Sequence, residues 1–171
     1  MEARDLSCSR GGKKVFSDLS FRVGPGEALA VSGRNGAGKT SLLRSIAGLL
    51  PFDSGELLWN NIIRSEVIDD FFDEIVYVGH SNSMSLDLSA AENLVFGIAL
   101  SGISVTIDQA RIALGKFGLG KIGGKPIHTL SQGQKRRVCL TKLLFMSSKP
   151  LWILDEPFNG LDADSVEQFV K

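Results

Sequence analysis

A glycine-rich segment carries the strongest chemical signal in the sequence. Gly33–Thr40 (GRNGAGKT) fits the Walker A pattern G-x-x-x-x-G-K-[ST]. Glycines let a loop curl so that its N–H groups face phosphate oxygens, and the following helix offers its positive dipole end. Lys39 is expected to reach the β- and γ-phosphates, and Thr40 is expected to ligate Mg²⁺. A helix-capping turn is the alternative, but the strand–loop–helix context favours ATP and Mg²⁺ binding. The residues predicted to bind the nucleotide here are Gly33, Asn35, Gly36, Ala37, Gly38, Lys39, Thr40 and Ser41.

Two consecutive carboxylates follow an apolar stretch later in the chain. Leu151–Leu154 predicts a fully apolar strand inside a parallel sheet, and Asp155 and Glu156 come directly after it. Ligands of open α/β sheets bind at the carboxyl ends of strands. We therefore expect Asp155 to hold Mg²⁺ opposite Thr40, and Glu156 to accept a proton from an attacking water. An isolated acidic pair of this kind is often only solvated, but the upstream phosphate loop favours the catalytic interpretation.

The elements that must position these groups alternate between strands and helices, which predicts an α/β fold with an inserted helical subdomain. The helix expected over 131–146 is amphipathic. It is predicted to turn Leu140, Leu143 and Leu144 inward and Lys135, Arg136 and Arg137 outward. Expected strands cover 15–23, 27–32, 75–78 and 151–154, and expected helices cover 39–48, parts of 89–117 (with Ala90, Leu94, Ile98, Ile107, Ile112 and Leu114 apolar) and 131–146.

Composition excludes several classes of protein. Nineteen basic and nineteen acidic residues balance, so no nucleic-acid partner is indicated. No apolar run approaches the ~20 residues that span a bilayer, and the amino terminus does not resemble a signal peptide. The two cysteines, Cys8 and Cys139, are too few for a disulfide framework, so a reducing, cytoplasmic compartment is expected.

Two further segments give the sequence a family resemblance. Leu130–Gln134 (LSQGQ) resembles the LSGGQ signature of ABC transporter nucleotide-binding domains, with Gln132 in place of the first glycine. Asn159–Asp162 resembles the D-loop of the same family. The resemblance implies one P-loop NTPase domain over 1–171, with a mostly parallel core sheet, an antiparallel β subdomain and a helical subdomain at about 81–135. It also implies a head-to-tail dimer in which Ser131, Gly133, Gln134 and Asp162 contact nucleotide on the partner. A simple helix N-cap at Ser131 is the alternative.

Within that family, the strings around residues 10–23, 77–80 and 152–158 resemble the ATP-binding subunits of haem exporters used in bacterial cytochrome c maturation. This implies permease partners at the cytoplasmic face of the inner membrane. His80 stands where most members have glutamine, and it acts either as a switch or as a structural hydrogen-bonding group. Arg10 stands where an aromatic usually stacks on adenine; we favour stacking by its guanidinium over a solvated role.

The sequence ends at Lys171, before the last strand and the switch histidine that the family pattern implies. We therefore expect a carboxyl-terminally truncated fold in which ATP binding is better supported than turnover. The alternative to a transport ATPase is a nucleotide-binding module that does not hydrolyse, or the ATPase subunit of another ABC exporter.

Overall fold

An antiparallel sheet forms from segments whose apolar residues recur at about every second position. In the computed structural model, which describes residues 1–170, β1 (Glu2–Arg10) pairs with β2 (Lys13–Arg22). Gly11 and Gly12 join the two strands with φ of 54° and 75°. A two-residue hairpin turn needs such positive φ values, which glycine adopts without steric cost. The other edge of β1 pairs with β3 (Ser54–Trp59), which continues to β4 (Ile62–Ile63).

The described chain divides into two units. Unit 1 contains Met1–Tyr77 and Lys149–Asp155, and unit 2 contains Val78–Ser148 and residues 156–170. Unit 1 holds the antiparallel sheet together with α1 (Lys39–Ile46) and α2 (Ile68–Glu74). A second, two-stranded sheet is made by β5 (Ile75–Val78) and β6 (Leu151–Leu154). The core of unit 1 combines buried residues of the sheets and α1: Ala3, Leu6, Leu42, Ile46, Ala47, Leu57 and Ile153.

Unit 2 is mainly helical. Its helices are α3 (Ala90–Ala99), α4 (Ile107–Lys116), α5 (Gln132–Thr141) and α6 (Ala163–Val170), with short 3₁₀ turns at Gly120–Ile122, Ile127–Thr129 and Lys142–Phe145. Phe169 of α6 stacks on Phe117 with ring centroids 3.8 Å apart, which fastens α6 to this unit. The large, fully buried side chains of unit 2 include Ile98, Leu114, Leu119, Ile127 and Leu140.

Three helices of unit 2 begin with the same local device. Ser89, Thr106 and Ser131 each accept a hydrogen bond from the backbone N–H three residues later. The Glu or Gln side chain at that later position accepts a hydrogen bond from the backbone N–H of the capping residue, which completes a capping box. The polar residue before each apolar helical pattern therefore fixes where the helix starts.

One predicted strand does not form. Residues 27–32 belong to neither sheet, and all of them except the partly buried Val31 are exposed. A strand needs a neighbour to accept and donate its backbone hydrogen bonds, and no described strand pairs with this segment. Its apolar composition alone was therefore an insufficient basis for the prediction. By contrast, the strand predicted over 75–78 has the same bounds as β5.

The helix predicted over 131–146 is shorter, and its faces differ from the prediction. It ends as an α-helix at Thr141 and continues as a 3₁₀ turn. Arg136, expected outside, is only 4% exposed, whereas Leu144, expected inside, is 42% exposed. Ile112 and Trp152 are also exposed, so α4 and β6 are less buried than their apolar sequences predict. Burial of Arg136 has a specific cause, namely the backbone carbonyls that surround its guanidinium.

Across residues 1–170, none of the helices combines the length and the apolar character needed to cross a bilayer.

Candidate functional site

The glycine-rich loop of unit 1 leads directly into α1. Gly33, Gly36 and Gly38 have φ of 154°, 81° and 93°, values that other residues rarely adopt. Gly38 is the N-cap of α1, so the first N–H groups of that helix lack an intrahelical acceptor and are available to an anion. The Lys39 ammonium donates to the carbonyl oxygens of Gly33 (2.9 Å) and Arg34 (3.1 Å), which holds it at the loop.

A hydroxyl and a carboxylate meet next to this loop. Thr40 Oγ1 donates to Asp155 Oδ1 over 3.1 Å, although the two residues are 115 positions apart in sequence. Asp155 is 1% exposed and lies at the end of β6, as its position after an apolar strand predicts. A buried carboxylate is stable only where hydrogen bonds or a cation stabilise its charge. Thr40 supplies one such hydrogen bond, and the pair provides hard oxygen ligands of the kind that Mg²⁺ prefers.

The second carboxylate, Glu156, lies in unit 2 among polar side chains. Its Oε2 is 3.4 Å from His80 Nδ1 and accepts a hydrogen bond of 3.1 Å from Asn159 Nδ2. Both His80 and Glu156 are substantially solvent-exposed, so this contact is open to water. Glu156 also has a positive φ of 47°, which costs a residue with a side chain about 1–2 kcal/mol. Such strained residues cluster at functional sites and persist only where their surroundings hold them.

Arg136 of α5 binds the backbone on which the His80–Glu156 contact depends. Its Nη2 donates to the carbonyl of Glu156, its Nε to that of Pro157 and its Nη1 to that of Gly79, each over 2.8 Å. A further contact of 3.4 Å joins Nη1 to Asn82 Oδ1. Sequence reasoning missed this residue because an arginine in a basic helical run is normally solvated. The only usable signal was its place one turn inside the helix that the signature begins.

The signature segment forms the amino-terminal end of α5. Ser131 Oγ accepts from Gln134 N (3.2 Å), and Gln134 Oε1 accepts from Ser131 N (3.0 Å), so both predicted ligands also cap the helix. A Cβ added at Gly133 would lie 3.1 Å from the Gly160 carbonyl oxygen. This close approach to the D-loop favours a residue without a side chain at this position of the signature. The capping alternative is therefore present, and it is compatible with a phosphate-binding role.

Asp162 and Arg10 occupy different settings. Asp162 Oδ1 accepts from Ser165 N (2.8 Å) at the start of α6, and hydrogen bonding by Ser165 holds the pKa of Asp162 below its ordinary value. Arg10 is exposed at the β1–β2 hairpin of unit 1. That hairpin reaches the phosphate loop, because Val15 Cγ1 occupies the space that a Cβ at Gly38 would fill.

The geometry of the loop, the Thr40–Asp155 pair and the capped signature helix has a clear counterpart among known proteins. Residues 16–159 match the family described as ABC transporter. The chain therefore belongs to the ABC transporter family and is an ABC-type ATPase domain, which confirms the predicted resemblance and fold class.

Individual relatives refine this assignment. The chain is 47% identical over 167 residues to the cytochrome c biogenesis ATP-binding export protein CcmA of Nitrosomonas europaea, covering 98% of this chain and 78% of the relative. A solved structure from Pyrococcus furiosus, described as an ABC transporter ATP-binding protein, superposes with a TM-score of 0.84 at 27% identity, covering 99% of this chain and 81% of that one.

A dimeric post-hydrolysis structure of the ATP-binding cassette MJ0796, bound to ADP and Pi, superposes with a TM-score of 0.83. Its identity is 20%, with 98% of this chain and 78% of that chain covered, so it supports the fold alone.

Proposed function

We propose that this chain hydrolyses MgATP to drive haem export during cytochrome c biogenesis. The observation that carries the ATPase role is the 3.1 Å contact between Thr40 and buried Asp155 beside the glycine-rich loop. The transport role is supported by the 47% identity to a relative named for cytochrome c biogenesis and export. Haem as the exported molecule rests on the resemblance of residues 10–23, 77–80 and 152–158 to haem-exporter subunits.

The glycine-rich loop binds the triphosphate. Backbone N–H groups of the loop and of the first turn of α1 surround the phosphate oxygens. The positive end of the α1 dipole attracts the same anion. Lys39 exchanges its two carbonyl acceptors for the β- and γ-phosphates, which offer it negative charge. Arg10, exposed on the hairpin that reaches the loop, stacks its planar guanidinium on the adenine.

Thr40 and Asp155 fit Mg²⁺ by the chemistry of their donor atoms. Thr40 would ligate the ion through its hydroxyl, and Asp155 would hold it directly or through water. The bound ion would supply positive charge against the charge that develops on the phosphate oxygens. Burial of Asp155 strengthens this role, because an ionised carboxylate in a low-dielectric setting favours a nearby cation.

Glu156 acts as the general base. It follows Asp155 directly in the chain and is not required for the metal, so its carboxylate is free to accept a proton from the attacking water. His80 and Asn159 orient the same carboxylate oxygen. His80 thereby contributes to catalysis at the position where most family members have glutamine.

A second copy of the chain completes the site. In a head-to-tail dimer, Ser131, Gly133 and Gln134 present the amino-terminal end of α5 to the γ-phosphate bound by the partner, and Asp162 shapes the adjoining loop. Permease subunits in the bacterial inner membrane then receive the dimer at their cytoplasmic face and form the path for haem.

Phosphate release by the purified chain tests the ATPase role. We expect Glu156→Gln to lower kcat by at least ~100-fold, because general base catalysis contributes about 10²–10⁴-fold. ATP binding should persist in this variant, since the loop and the Thr40–Asp155 pair are unchanged. Equal, near-background rates in wild type and variant would instead favour the non-hydrolysing module.

A further inference from the structure

The Arg136 side chain joins two pieces of backbone that are far apart in sequence. Its acceptors include the carbonyls of Gly79, Glu156 and Pro157, which lie 57, 20 and 21 positions away. The Gly79 carbonyl belongs to the peptide bond that carries the N–H of His80. Arg136 therefore binds the backbone immediately before one member of the Glu156–His80 contact and at the other member itself.

We propose that Arg136 is the positioning residue of the Glu156–His80 pair, setting the geometry of the general base from the signature helix. This inference rests on the proposed function only in treating Glu156 as the base. Arg136 does not touch the nucleotide in this role. It acts through the Glu156 carbonyl and through the peptide bond that joins Gly79 to His80.

Guanidinium geometry explains why arginine suits this place. Nε, Nη1 and Nη2 point in fixed directions within one plane, so one side chain satisfies three carbonyls at once. A lysine ammonium is a compact point charge, and it cannot reach three acceptors spread around a plane. Glu156 requires such support because its φ is positive, and a strained turn keeps its geometry only where its backbone is held.

Arg136 lies on the helix that begins at the signature. Ser131 caps α5, five positions before Arg136. The residue that holds the backbone of Glu156 and the residue proposed to meet the partner's nucleotide therefore share one helix.

Imidazole NMR tests the positioning role without requiring turnover. The sequence contains two histidines, His80 and His128. His128 Nδ1 contacts the Leu86 carbonyl at 3.0 Å, and this carbonyl is not one of the Arg136 acceptors named above. We expect Arg136→Lys and Arg136→Ala in the full chain to move the ring ¹⁵N signals of His80 and to leave those of His128 in place. Arg137→Lys is the matched control, because the Arg137 guanidinium is next in sequence but donates to the Phe117 carbonyl instead. It should move neither signal.

Steady-state kinetics provide the second measurement. Arg136→Lys should lower kcat on the order of 10–100-fold with an unchanged KM for ATP, since small misplacement of a catalytic group costs about this much. In a Glu156→Gln background the same substitution should have no further effect, because residues that act as a unit are non-additive. A purely structural role would lower the melting temperature and would persist in that background.

The outcomes separate this inference from the proposed function. If folded Arg136→Lys retains the His80 signals and wild-type kcat while Glu156→Gln loses turnover, the positioning role is wrong and the proposed function stands. If Glu156→Gln keeps wild-type turnover, the proposed function fails, and the NMR signals alone decide for or against Arg136. Should Arg136→Ala fail to fold, Arg136→Lys, which keeps the charge and chain length, gives the decisive spectrum.

Discussion

At the scale of single residues, several residues of the proposed site have unusual backbone conformations. Glu156 and the phosphate-loop glycines Gly33, Gly36 and Gly38 have positive φ. The conformations differ in cause. Gly38 needs the absence of a side chain because Val15 occupies the space that a Cβ would fill, whereas Gly36 faces open space. Glu156 carries a side chain and is held by its neighbours.

This difference predicts unequal effects of alanine in the loop. Gly36→Ala should cost about 1–2 kcal/mol from the positive φ alone. Gly38→Ala should cost a further ~1–3 kcal/mol, because its Cβ would overlap Val15 Cγ1. Urea unfolding of both variants without nucleotide measures the difference.

Val15→Ala is the matched control for this pair. It should recover part of the stability lost in Gly38→Ala and none of that lost in Gly36→Ala, since only the former has a clash to relieve. Equal losses in the two glycine variants, or no recovery with Val15→Ala, would contradict the assigned cause.

At the scale of elements, three helices share a capping box while serving different purposes. Ser89 and Ser131 make the same pair of hydrogen bonds at the starts of α3 and α5. Their contributions to stability should therefore be similar. Only the start of α5 carries the signature segment, so only this end is proposed to meet the partner's nucleotide.

Substitution of the two capping serines separates stability from function. Ser89→Ala and Ser131→Ala should each cost about 1 kcal/mol of unfolding free energy, as typical for a lost N-cap. In a Glu156→Gln background, where bound ATP is retained, Ser131→Ala should weaken MgATP-dependent dimerisation and Ser89→Ala should not. Sedimentation velocity with and without MgATP measures this. Loss of dimerisation in both variants would indicate that helix stability, and not the signature contact, is responsible.

At the scale of the whole molecule, the chemical groups are divided between two units. The phosphate loop and Asp155 belong to unit 1, and Glu156, His80 and the signature belong to unit 2. The two consecutive carboxylates therefore belong to different units. Asp155 is the last residue of unit 1, and Glu156 begins the second segment of unit 2. The proposed transport role concerns both units together with membrane partners.

Complementation tests the transport role. In a bacterium lacking its own CcmA-type subunit, this chain is expected to restore covalently haem-bearing cytochrome c, and Lys39→Ala is expected to abolish the restoration by removing phosphate binding. Haem staining of membrane proteins after gel electrophoresis measures the outcome. Restoration by Lys39→Ala at equal expression would contradict an ATP-driven role.

Short sequence patterns by themselves determined the phosphate loop, one helix start and one strand end of this protein. The glycine and lysine spacing of Gly33–Thr40 defines the phosphate loop, Ser131 marks a helix start, and the apolar run before Asp155 marks the end of β6. Each of these features depends on residues within a few positions of one another, so patterns of spacing and capping suffice to predict them.

Tertiary structure alone decided the environment of Arg136 and the state of residues 27–32. Arg136 is buried because it binds carbonyls from segments 20 to 57 positions away, and no local pattern indicates that such acceptors converge. Residues 27–32 have a strand-like composition, yet they lie in neither sheet, because a strand exists only where another strand accepts its hydrogen bonds. The burial of Arg136 and the missing strand at 27–32 both depend on residues far away in sequence. The side-chain chemistry at one position does not specify which distant residues it meets.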